Sequence, residues 1–106
     1  MAEAIPLLQR AVDRDPDNGA AQLSLAASLF DTRAGIDQTI AHARRAAALL
    51  PSDPDALVLL SRALAVNGQY EEASALVHRA LEVGANDAEA RELERRIALA
   101  ARQRAS

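Results

Sequence analysis

Two histidines, four helical serines and one pair of adjacent carboxylates are the side chains of this sequence to which chemistry would first be assigned. His42 and His78 fall on different helical stretches, and no His-x-x-x-His pair brings two imidazoles onto one helix face. Cysteine is absent, which removes disulfides, thiolate metal sites and thiol nucleophiles together. Ser24, Ser28, Ser61 and Ser74 lack a Gly-x-Ser-x-Gly elbow and read as small helix residues. The four glycines are too scattered to cradle a phosphate. Glu71 and Glu72 open a helix, where carboxylates favour the backbone dipole. The expectation is a chain without catalytic residues, metal or cofactor of its own.

The elements that would position any ligand are helices. Half of the 106 residues are hydrophobic, mostly Ala and Leu, with one Tyr, one Phe and no Trp. Such a composition favours thin, closely packed helices over strands. Length allows one domain, 1–106, rather than two with separate cores. The net charge of −3 gives neither a nucleic-acid footprint nor a polybasic membrane anchor. All basic residues are Arg. The longest apolar stretches, Ala46 to Leu50 among them, are far below the roughly 20 residues that span a bilayer, and no secretory signal pattern opens the chain. Cytoplasmic location is the default expectation.

Self-similarity organises the chain. Arg10-Ala11, Arg45-Ala46 and Arg79-Ala80 recur at spacings of 35 and 34 residues. Each is followed by a turn segment: Asp15 to Asn18, Pro51 to Pro54, and Gly84 to Asp87. Gly35 and Gly68 divide the intervening repeats into halves. Helices are expected near 3–14, 19–31, 37–49, 54–66, 70–83 and 87–103. Asp53 would cap the fourth helix with Pro54 at its first position. Asn86 and Glu89 have capping-box spacing for the sixth, and Gly84 suits a left-handed end to the fifth.

These residues resemble the tetratricopeptide repeat (TPR) family. The clearest copy, 54–87, carries Leu57, Leu60, Leu64, Gly68, Tyr70, Ala73, Ala80 and Leu81 at family positions. A second copy, 20–53, carries Leu23, Ala26, Ala27, Phe30, Ala46 and Pro51, with Thr39 where the family has a small Ala. Residues 3–15 resemble the second helix of a repeat alone, and 88–104 a solvating, Arg-rich capping helix. The resemblance implies a right-handed α-solenoid of antiparallel hairpins. Ala27, Ala46, Ala73 and Ala80 would let its helices approach closely.

It also implies a protein or peptide partner held in a concave groove lined by the first helix of each hairpin. Matching family positions turns Ser24, Ser28 and Asp31 inward from one repeat and Asp55, Val58 and Arg62 from the next. Glu89, Glu92 and Arg96 follow from the last helix. Arg62 and Arg96 would hold a ligand carboxylate, and Ser24 and Ser28 an extended backbone. The Lys and Asn set with which some members clamp a partner's C-terminus is not matched. A competing expectation is self-association, as a homodimer, through an apolar edge of the first helix at Ile5, Leu8 and Val12. A third is an accessory domain cut from a larger enzyme.

Overall fold

A computed structural model describes residues 4–85 and 87–105. Six helices follow one another: α1 Ala4–Arg14, α2 Gly19–Thr32, α3 Ile36–Leu49, α4 Pro54–Val66, α5 Tyr70–Glu82 and α6 Asp87–Ala105. There is no strand among the described residues. The chain forms two compact units, one ending at Pro51 and the other beginning at Ser52.

The helix ends follow from local chemistry. Asn18 accepts a hydrogen bond from the Ala21 amide at 3.1 Å and so starts α2. Asp53 does the same for α4 through the Asp55 amide at 2.9 Å, with Pro54 in the first turn. Left-handed Gly84 (φ 99°) ends α5, and Ala85 donates back to the Ala80 carbonyl at 2.9 Å. Gly68 (φ 82°) ends α4 with the same bond pattern. Asn86, expected to cap α6, lies outside the described residues.

The turn between α2 and α3 is built differently from those at Gly68 and Gly84. Arg33, not Gly35, is the left-handed residue (φ 54°), with Ala34 donating to the Leu29 carbonyl at 3.1 Å. Gly35 is extended and precedes α3. A Cβ-bearing residue in this conformation carries roughly 1 kcal/mol of strain that glycine lacks. Arg33 is exposed, so Arg33→Gly is expected to stabilise the chain by about that amount in urea denaturation. An unchanged or lower midpoint would show that the turn is unstrained.

In the first unit, Val12, Ala21, Leu25 and Leu29 form a core against which Ile5, Leu8 and Ala11 of α1 pack. Gly19 is buried against the end of α3, where an added Cβ would come within 2.7 Å of Leu50 Cγ. Gln22 is buried yet satisfied. Its amide nitrogen donates to the Pro16 carbonyl at 2.9 Å, and its oxygen lies 2.8 Å from His42 Nδ1. Thr39 is also buried, its hydroxyl donating to the Gly35 carbonyl at 2.8 Å. That bond removes the penalty of placing a hydroxyl where the family has Ala.

In the second unit, α4 and α5 form a hairpin centred on Ala56, Leu57, Leu64, Ala73, Val77 and Ala80, none of them accessible to solvent. Ser61 Oγ donates to the Ala73 carbonyl at 2.7 Å, which records how closely the two helices approach. α6 returns along the hairpin, burying Ala90 and Ile97. Its far end is fastened by Arg104, which donates to the Gly68 carbonyl and lies 5.8 Å from the centroid of the Tyr70 ring.

Candidate binding surface

Side chains three or four residues apart share a helix face. On α4 that places Asp55, Val58 and Arg62 together, and on α6 Glu89, Glu92 and Arg96. The fold brings these two rows side by side: the Arg62 guanidinium engages the Glu89 carboxylate directly. Two adjacent depressions result. One, of about 150 Å³, is lined by Asp55, Val58, Leu59, Arg62, Ala85, Glu89 and Ala90. The other, of about 230 Å³, is lined by Arg62, Glu89, Glu92, Leu93 and Arg96.

Both arginines expected to anchor a ligand carboxylate are already engaged. Arg62 pairs with Glu89, and Arg96 lies 3.3 Å from Glu92, which Arg95 also contacts at 2.6 Å. These pairs are solvent-exposed and contribute at most about 1 kcal/mol each. Their effect is to set the charge and shape of the depressions. Asp55, by contrast, has no ion pair among the described residues.

In the first unit, Ser24 and Asp31 on α2 are exposed and Ser28 is half-buried. Spacings of four and three residues put all three on one face of that helix. Of the α1 residues expected at an edge, Val12 is buried and Ile5 and Leu8 are half-buried against the α2 core. The large apolar side chain of α1 left in solvent is Leu7, 66% exposed.

His42 is held by Gln22, and His78 is exposed beside the Glu94 carboxylate. Sequence reasoning missed Leu59, Ala85, Ala90 and Leu93 as lining residues. Leu59 directly follows Val58, and Ala90 directly follows Glu89. The apolar 58–59 and 90 positions beside polar groove positions were the available sign.

Among the described residues, six helices in antiparallel hairpins, repeating at about 34 residues, define a helical-repeat protein of the α-solenoid class. The model of the tetratricopeptide repeat matches residues 36–97, more than half of the chain, which therefore belongs to the tetratricopeptide repeat family. Members of this family are in general scaffolds for protein–protein interaction. No curated protein sequence matches the chain. Among solved structures, 34 chains match it. One is the crystal structure of YrrB, described as a TPR protein with an unusual peptide-binding site. It superposes with a TM-score of 0.77 at 17% identity, covering 91% of this chain and 49% of YrrB. The present chain thus spans about half the length of that protein, and the likeness shows the fold. No helix among the described residues is long and apolar enough to cross a membrane.

Proposed function

We propose that the chain is a protein- or peptide-binding module that works through the face presented by α4 and α6, that the Ser24, Ser28 and Asp31 face of α2 is a separate contact surface of the first unit, and that the chain catalyses no reaction itself. The observation carrying it is the pair of adjacent depressions between α4 and α6, the smaller combining an apolar floor with a charged rim and the other lined by charged side chains around Leu93. That mixture suits recognition of a peptide, whose side chains need apolar contact and whose register needs polar fixing. A neighbour in fold, YrrB, is described as binding peptide, which is consistent with the reading.

Val58 lines the smaller depression and is half-buried, so Val58→Trp fills that space without changing charge. Peptides selected from a displayed random library on the parent chain should lose at least about tenfold in affinity for this variant, or roughly 1.4 kcal/mol. Helicity by circular dichroism should be unchanged. Selected peptides that bind Val58→Trp equally would place recognition elsewhere.

Self-association through α1 is the second reading, and exposed Leu7 favours it. It expects a concentration-dependent dimer that Leu7→Arg converts to monomer in light scattering. A parent chain that is monomeric throughout the concentration range removes it.

A further inference from the structure

The smaller depression carries an imbalance that selects among ligands. Its floor is apolar, with Ala85 and Ala90 buried and Val58 and Leu59 half-buried. Its rim holds two carboxylates, Asp55 and Glu89, against one guanidinium, Arg62. Because Arg62 is engaged by Glu89, the charge left without an ion pair on this rim is that of Asp55. Aliphatic surface next to an unmatched carboxylate complements a side chain with a long apolar stem and a cationic head.

We propose that this depression receives a Lys or Arg side chain of a bound, extended peptide. Its stem would lie on Val58, Leu59 and Ala90, and its cation would meet Asp55. This rests on the reading of the α4/α6 face as peptide-binding and names the residue type that the face selects. An acidic side chain would meet Asp55 while the nearest cation is already occupied. A purely apolar one would cover Asp55 without pairing it, at the cost of desolvating a carboxylate. The net charge of −3 on the chain favours encounter with basic peptides in the same sense.

The test uses peptides selected from a displayed random library on the full chain and then synthesised. The expected result is a shared Lys or Arg position whose replacement by norleucine weakens binding at least tenfold. Asp55→Lys should weaken the same peptides at least tenfold. Glu82→Lys, an equal change of charge on the exposed surface of α5 away from the α4/α6 face, should leave them within about threefold. Peptides that need Val58 but share an acidic or uncharged position, or that respond alike to Asp55→Lys and Glu82→Lys, would overturn the basic-residue assignment while leaving the binding face intact. Peptides indifferent to Val58→Trp would overturn the binding face, and the assignment with it.

Discussion

Leu64→Ala is expected to cost 2–5 kcal/mol, roughly the range seen for a large-to-small change at a site that cannot collapse. Leu64 is fully buried on α4, in a hairpin whose other core positions are mostly alanines. Alanine-rich helices already lie close together and have few long side chains with which to refill a void. Small domains are stable by only about 5–15 kcal/mol, so one such cavity removes a large share of the total. The melting temperature should fall by more than about 10 °C. Leu99, 57% exposed on α6, supplies the contrast: Leu99→Ala should change stability by no more than about 0.5 kcal/mol. Equal losses at the two positions would mean that burial does not set the core of this chain.

Ala73→Leu should be comparably severe for the opposite reason. Ala73 is inaccessible to solvent, and its carbonyl accepts the Ser61 hydroxyl at 2.7 Å from the facing helix. A leucine at that point must push α4 and α5 apart, at about 1–3 kcal/mol for overpacking. Separation also strands the buried Ser61 hydroxyl, which adds about 1–3 kcal/mol. Ser61→Ala alone should cost only about 1 kcal/mol, because it removes the donor and leaves no buried hydroxyl unpaired. Combined with Ala73→Leu it should cost less than the sum, since the stranded group is gone. Strict additivity in urea denaturation would contradict the close approach of the two helices.

The helical order was legible in the sequence because it is written in short-range chemistry. Asp53-Pro54, Gly68 and Gly84 act within one turn of where they stand, and the Arg-Ala pairs fix the period. What was not legible depended on partners far along the chain or on a choice between neighbouring residues. Ala26 is fully buried while Ala27 is half-buried, yet adjacent alanines look alike and differ only by the rotation of one helical residue. Gly35 marks the break between α2 and α3 but does not show which residue of the turn takes the left-handed conformation. The chain strains Arg33 and spends Gly35 on an extended approach to α3. Gln22 gives no local sign of burial, since its bond to His42 spans 20 residues.

The binding face was half legible for the same reason. Asp55, Val58, Arg62, Glu89, Glu92 and Arg96 could be assigned to helix faces by spacing alone. That Glu89 would take up Arg62, leaving Asp55 as the unmatched charge, depends on how α4 and α6 lie against each other. A list of basic residues suggests a site for carboxylates; the arrangement of those residues points to a site for a cation.

Chemical-shift mapping tests the central claim most directly. A library-selected peptide would be titrated into the isotopically labelled full chain while backbone amide signals are followed. The account predicts the largest shifts at Val58, Leu59, Arg62, Glu89 and Ala90, with α3 and the exposed side of α5 little changed. Shifts centred on α1 around Leu7, or spread over α3 and α5 with the α4/α6 depressions silent, would contradict it.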